Sequence, residues 1–265
     1  MAMTVHNLKT AFLMRIGKRS EIEYCWNKKL VVFSCPANWI DKQLTGSDDS
    51  IGDIFECIFA HLPSDDPRVW QQVDSHGHPM GDNLLILRNE KDGSFLLRYI
   101  PVILTPVLCF YSIRSGSIPI DLLKFASDMK YDTKDCAFLF IKDVARFFDD
   151  LKEQVPIAVK DNRNLTSERF YRPFDPFNPI DANNVNYDKY TATEPFYDRQ
   201  CCLEEFFWKL PEYRYQSECR IIIPNVNYIQ GYDPNKKYNP QQNYLEVSLP
   251  HLHEYAEIRY LQDTE

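Results

Sequence analysis

Phe207-Trp208-Lys209-Leu210-Pro211-Glu212-Tyr213-Arg214-Tyr215-Gln216-Ser217-Glu218-Cys219-Arg220-Ile221-Ile222-Ile223 carries more information about the fold than any other stretch. Aromatic and charged residues lead into Gln216-Ser217-Glu218, and a β-branched run follows directly. In extended backbone, residues two apart point to the same face. That spacing predicts Gln216 and Glu218 side by side at the mouth of a strand whose continuation, Ile221 to Ile223, is buried. An amide and a carboxylate presented together on a rigid strand suit work on a sugar or a carbocation-like centre. The bland alternative is a strand in which Glu218 simply pairs with Arg220 or another arginine.

The flanking chain supplies a sheet for that strand. Leu30 to Phe33, Val107 to Ser112 and Ala137 to Ile141 read as strands, as do Phe95 to Leu104, Val155 to Val159, 244–249 and 256–261. Ser20-Glu21-Ile22-Glu23 has capping-box form, with Ile22, Cys25 and Trp26 on one helix face. Ile51, Ile54, Phe55, Ile58 and Phe59 predict a second helix over 51–61. Asp143 is placed to cap a third, with Val144, Phe147, Phe148 and Leu151 inward. Residues 161–200, rich in Asn, Asp, Pro and aromatics, have no period and far exceed an ordinary connection, which marks a lid or binding loop. The pattern is α+β, since helices are too few for regular βαβ alternation.

Composition narrows the function classes. The chain has 265 residues, 44% hydrophobic and 14% aromatic, enough to build a core as a single domain over 1–265. The formal net charge of −8 disfavours stable unaided binding to nucleic acid, where a basic excess supplies most of the affinity. No stretch approaches the roughly 20 apolar residues that span a bilayer. Met1 to Lys18 lacks the apolar block of a signal peptide. The eight cysteines include no Cys-x-x-Cys pair, so a cytoplasmic protein with reduced thiols is expected. The pairs His76/His78, His251/His253 and Cys57/His61 fall short of the three or four rigid ligands of a zinc site, and no metal is expected. In the long loop, Arg163, Arg169 and Arg172 alternate with Phe170, Tyr171, Phe174 and Phe177, a mixture able to stack on bases and touch phosphates. Asp161, Glu168, Asp175 and Asp181 offset that charge, and packing onto its own domain or a partner is the expectation.

Two further clusters complete the candidate site. Met14-Arg15-Ile16-Gly17-Lys18-Arg19 is a basic segment before a helix, suited to a phosphate or pyrophosphate. The run Pro106 to Ser112 ends in Tyr111 and Ser112, an aromatic and a hydroxyl able to line a pocket for a planar amide.

Arg15, then Tyr111-Ser112, then Gln216-Ser217-Glu218 resembles, in this order, the ADP-ribosyltransferase superfamily, and the opening looks like its DNA-modifying toxins. The resemblance implies a split, mixed β-sheet with flanking helices around an NAD cleft. Arg15 would hold the NAD pyrophosphate, Tyr111 and Ser112 would line the nicotinamide pocket, and Ser34 or Ser112 would stand in for an absent Ser-Thr-Ser motif. Glu218 would stabilise the oxocarbenium-like state, and Gln216 would orient the acceptor. It further implies an NAD-dependent mono-ADP-ribosyltransferase, a bacterial toxin or phage-defence effector, with nucleic acid favoured over protein as acceptor. Two alternatives stand beside it: an NAD glycohydrolase, and a non-catalytic immunity, antitoxin or anti-defence protein engaging a partner protein. Lys209, Tyr213, Gln216, Glu218 and Arg220 also resemble the Lys-x(n)-Tyr-x-x-Gln/Glu-x-Glu-x-Arg segment of a large uncharacterised bacterial family.

Overall fold

Apolar runs of β-branched and aromatic residues, too short for helices, meet most of their hydrogen-bonding demand by pairing in sheets. In the computed structural model the described residues are 12–44, 57–72, 84–113, 121–167, 173–189, 191, 193–197, 203–229 and 244–261. In chain order the elements are β1 (Phe12–Lys18), α1 (Arg19–Lys28), β2 (Leu30–Phe33), α2 (Pro36–Leu44), β3 (Ala60–Leu62), α3 (Pro67–Trp70), β4 (Leu84–Arg88), β5 (Phe95–Tyr99) and α4 (Ile100–Ile103). Then follow β6 (Val107–Ile113), α5 (Leu122–Asp128), β7 (Cys136–Ile141), α6 (Val144–Asp161), β8 (Leu165–Thr166), β9 (Asp181–Asn184) and β10 (Phe196–Tyr197). After two 3-10 segments, Leu203–Phe207 and Pro211–Gln216, come β11 (Glu218–Ile222), β12 (Asn227–Tyr228), β13 (Leu245–Ser248), α7 (Leu252–Tyr255) and β14 (Ala256–Tyr260).

A six-stranded sheet in the order β14-β7-β1-β6-β11-β9 forms the frame, beside a four-stranded sheet β10-β3-β5-β4 and two strand pairs. The fold is α+β. Every pairing between named strands is antiparallel, so the sheet is not the mixed one expected.

One feature of the ladder matters for the site. β1 pairs with β6 only over Phe12–Met14, whereas it pairs with β7 from Leu13 to Lys18. Meanwhile β6 follows β11 down to Val107. The two central strands therefore part beyond Met14. At the far end of the gap β2 arrives: Ser34 and Val107 exchange both backbone hydrogen bonds, at 2.9 and 2.7 Å.

The main core lies where Phe110, Leu139, Cys219 and Ile221 meet Phe147, Leu151 and Val155 of α6. Asp143 caps that helix as expected, its carboxylate accepting from the Arg146 N–H at 3.1 Å. Val155 to Val159 is not a strand. Val155 extends the buried stripe of Phe147, Phe148 and Leu151, and α6 runs through Pro156 to Asp161. Helical periodicity against the core prevails there over β-branched propensity.

Other expectations change locally. The capping box does not form: Ser20 lies inside α1, and Glu23 accepts from Arg19 Nε at 2.9 Å. The helix over 51–61 lies partly outside the described residues, and its described end is a turn at Cys57 followed by β3. Phe95 to Leu104 is strand only to Tyr99, after which Pro101 sits in the first turn of α4. The 161–200 segment is not wholly irregular, since it carries β8, β9 and β10, and β9 extends the main sheet beside β11.

Phe147 is fully buried and touches the rings of Phe110 and Phe148. Phe147→Ala is expected to cost about 3–5 kcal/mol by denaturant titration. Ile157→Ala, at a position 52% exposed on the same helix, should stay within about 0.5 kcal/mol.

Candidate functional site

Glu218 opens β11 rather than lying within an extended Gln-x-Glu strand. Gln216 ends the 3-10 segment, and Ser217 adopts a left-handed conformation at φ 43°. The expected geometry is thus corrected: a kink separates the two side chains. Ser112 N–H donates to the Ser217 carbonyl at 2.8 Å and holds the kink against β6. The kink still brings the pair together, because Lys209 Nζ donates to Gln216 Oε1 at 2.8 Å and to Glu218 Oε2 at 3.3 Å.

Arg220, two residues along β11, shares the face of Glu218. Its Nε donates to Glu218 Oε1 at 2.9 Å and its Nη2 to Oε2 at 3.2 Å, a forked pair. Nη1 reaches the Phe206 carbonyl at 2.7 Å, and the Trp39 ring lies 5.5 Å from the guanidinium. Arg220 is fully buried, and Glu218 and Lys209 are each 6% exposed. Tyr213 packs beneath the ammonium of Lys209 at 4.7 Å. The five residues Lys209, Tyr213, Gln216, Glu218 and Arg220 thus form one connected network.

Two segments position it. Trp208 bridges Asn186 in parallel, and Lys209 N–H donates to the Asn186 carbonyl at 3.2 Å. Tyr187 Oη accepts the Glu218 N–H at 2.8 Å, while Val185 N–H donates to the Glu218 carbonyl at 2.8 Å. Burial pushes the Glu218 carboxyl up, yet Arg220 and Lys209 outweigh it and hold the group well below the usual carboxylate range. Burial, with Glu218 adding to it, pushes Tyr187 up to about 12. Burial likewise raises Tyr111 well above its ordinary value, with Tyr131 and Glu218 contributing. At neutral pH the site presents a fixed carboxylate among neutral phenols.

Two cavities adjoin this network. The larger, about 780 Å³, is lined by Ser112, Asn184, Asn186, Tyr187 and Tyr215, with the carboxylates Asp121, Asp128, Asp188 and Glu218 against the cations Lys124 and Arg214. The smaller, about 180 Å³, opens where β1 and β6 part. Its wall includes Arg15, Ser34, Trp39, Cys109, Lys209 and Arg220, with Glu218 its one carboxylate among the described residues. Tyr111, Gln216 and Glu218 belong to both.

All six residues singled out from the sequence, Arg15, Ser34, Tyr111, Ser112, Gln216 and Glu218, therefore line these cavities. Arg15 Nη1 donates to the Val32 carbonyl at 3.3 Å, and Ser34 Oγ accepts from Asn38 Nδ2 at 2.7 Å. Sequence reasoning did not assign Lys209 and Arg220 to the site, although their spacing from Glu218 was in view. The sequence marks Tyr187 and Asn184 only as members of the 161–200 segment read as a lid or binding loop; β9 brings them in from more than thirty residues upstream. Of the long loop's aromatic-arginine mixture, Arg169, Phe170, Tyr171 and Arg172 lie outside the described residues, and Phe177 is 89% exposed.

Among the described residues no three His, Cys, Asp or Glu side chains converge as metal ligands. His253 bonds the Trp26 carbonyl, His251 meets Glu254, and His61 meets Ser94, while His76 and His78 lie outside the described residues. No helix among the described residues is long and apolar enough to cross a membrane. Comparison with protein-family models, with curated proteins and with solved structures finds no match.

Removing either member of the forked pair leaves a buried charge without its main counterion. Glu218→Gln and Arg220→Met are each expected to cost about 3–5 kcal/mol, and the double substitution no more than one of them. The folded-state pKa of Glu218 lies below its unfolded value. Its contribution is therefore present above about pH 4.3 and is lost as pH falls through the window beneath. Acid denaturation curves should show that loss in the wild type and a flatter acid limb in Glu218→Gln.

Proposed function

We propose that the chain is an NAD-dependent mono-ADP-ribosyltransferase, with its reacting centre at the junction of the two cavities. The observation that carries this reading is the convergence of Arg15, Ser34, Tyr111, Ser112, Gln216 and Glu218, drawn from separate segments, on cavities that share Tyr111, Gln216 and Glu218.

In the proposed reaction the bond between the nicotinamide nitrogen and the ribose C1′ breaks, and the nitrogen keeps the electron pair. A bond forms from C1′ to an acceptor atom, whose proton passes to solvent. Nicotinamide leaves as a neutral molecule from a cationic precursor, so no general acid is required. What the step does require is negative charge beside the developing oxocarbenium ion. Glu218, anionic at every physiological pH, would supply it. Tyr111 and Ser112 would hold the nicotinamide, Arg15 the diphosphate, and Gln216 the acceptor. We take a nucleic-acid base as the acceptor class and a role as toxin or phage-defence effector as the context. Water in the acceptor's place would give NAD hydrolysis.

One observation favours a second reading, a non-catalytic binding protein. Both Glu218 oxygens are already engaged by Arg220 and Lys209, as in a structural ion pair.

Purified wild type, Glu218→Gln and Ser112→Ala, each checked by circular dichroism to be folded at the assay temperature, are incubated with adenylate-labelled NAD and lysate. Protease and nuclease digestions are then run separately. The wild type should transfer label that nuclease releases. Glu218→Gln should lose on the order of 10²-fold or more and Ser112→Ala about tenfold. Label released by protease alone would make the acceptor a protein, and free ADP-ribose alone would make the chain a hydrolase. No NAD consumption by the wild type would leave the binding protein.

A further inference from the structure

Gln216 is an amide with two chemically different ends, and its neighbours decide which end meets which cavity. A lysine ammonium has donors only, so the 2.8 Å contact of Lys209 Nζ must fall on the carbonyl oxygen of Gln216. The ammonium is itself held, by Glu218 Oε2 at 3.3 Å and over the Tyr213 ring at 4.7 Å, and it is buried. The other end of the amide, Nε2, lies 3.4 Å from Tyr215 Oη, a bond at the limit of hydrogen-bonding range to a half-exposed phenol. Among the described residues Lys209 lines the smaller cavity and not the larger, and Tyr215 the larger and not the smaller. The carbonyl of Gln216 is thus spent on the side of the smaller cavity, and its NH2 is turned to the larger.

A second donor stands beside it. Tyr187 Oη accepts the Glu218 N–H at 2.8 Å, which leaves its own proton to donate, and that proton has no acceptor among the described residues. Burial pushes this phenol up to about 12, so the proton is retained at neutral pH. Gln216 and Tyr187 are both almost wholly buried, and both line the larger cavity. Donors left unused at such burial are costly, which favours a ligand that brings lone pairs to them. Tyr111, Phe125 and Tyr215 add aromatic rings to the same wall, suited to a planar ligand. At about 780 Å³ the cavity has room for a whole nucleoside, within the span of small-molecule sites (roughly 300–1,000 Å³).

We propose that Lys209 is a positioning residue that fixes Gln216 as a donor, and that Gln216 and Tyr187 together select a heterocyclic base by an edge carrying two lone pairs. A 6-oxopurine presents such an edge, its O6 and N7 being acceptors side by side. A 6-aminopurine presents a donor in place of O6, so one of the two protein donors would meet a donor. Lys209 stays where it is throughout: its bonds to Gln216 and Glu218 are what hold the amide in the selective orientation. This deepens the transferase reading by naming how the acceptor base is chosen, and rests on it for the chemical step. The binding preference stands on the orientation of the amide and the phenol alone.

Ligand-observed NMR titration of the full chain, without NAD, tests it with deoxyinosine and deoxyadenosine, which carry a carbonyl and an amino group at the same ring position. The wild type should bind deoxyinosine about tenfold more tightly than deoxyadenosine. Lys209→Met should abolish that preference, because the amide can then turn over, and Lys209→Arg, again with donors only, should keep it. A merely structural Lys209 would weaken both nucleosides alike and leave their ratio unchanged. Gln216→Glu keeps one oxygen for Lys209 and turns the other to the larger cavity, so its preference should reverse. Melting curves verify each fold, and Gln216→Glu, close in shape to the wild type, carries the test if Lys209→Met does not fold. Wild type that binds neither nucleoside, or both equally, overturns the proposal, as does a preference that survives in these two variants. The expected preference in a protein that consumes no NAD upholds the base site and removes the transferase reading. NAD consumption without the preference does the reverse.

Discussion

A guanidinium and a carboxylate stand two residues apart on one strand, both removed from water, and much of the surrounding structure serves to make that tolerable. Desolvating two ions costs several kcal/mol each, and their attraction offsets it only when the remaining hydrogen-bonding capacity is also met. Here it is met from several directions. The Phe206 carbonyl and the Trp39 ring receive Arg220, Lys209 adds a second cation to Glu218, and Tyr187 accepts the Glu218 N–H. These partners come from α2, the segment 203–217 and the chain after β9. The ion pair is satisfied only when all three are in place.

That requirement explains why a long, turn-rich connection is ordered where it meets the sheet. Asn186 and Trp208 bridge in parallel, and the 3-10 segment ends in the left-handed Ser217 that Ser112 holds. A left-handed conformation at a non-glycine residue carries a steric penalty of about 1 kcal/mol. The bonds from Lys209 to both Gln216 and Glu218 depend on that turn, so the polar network offsets the local backbone cost. The parting of β1 from β6 is the complementary feature. A continuous ladder there would have filled the space that Arg15, Ser34 and Lys209 now line.

Elements marked by an apolar run or a one-sided apolar stripe over several residues were legible in the sequence: β2, β6, β7 and β14, and α6 with its Asp143 cap. Failures fell where two local signals competed. Val155 to Val159 is β-branched, but its place on the stripe begun by Phe147 decided for helix. Ser20 and Glu23 have capping spacing, but β1 runs to Lys18 and the helix begins at Arg19, which draws Glu23 into an ion pair. The site shows the same division. Glu218, Gln216, Tyr111, Ser112, Arg15 and Ser34 announce themselves by residue type at strand ends. Tyr187, Asn184 and Trp39 do not, because nothing local distinguishes them from other residues of polar or amphipathic segments. Only the pairing of β9 with β11 and the crossing of α2 bring them in.

The saturation of Glu218 bears on what such a site can catalyse. A carboxylate held low by two cations is a poor base, since it cannot take a proton near neutral pH. Acid–base hydrolysis, which needs a carboxyl that titrates near the working pH, is therefore the wrong chemistry for it. Cleavage of a bond to an already cationic leaving group is different, because no proton need move as that bond breaks. The demand is for a fixed negative charge in a dry pocket and for an anchor that places the sugar against it.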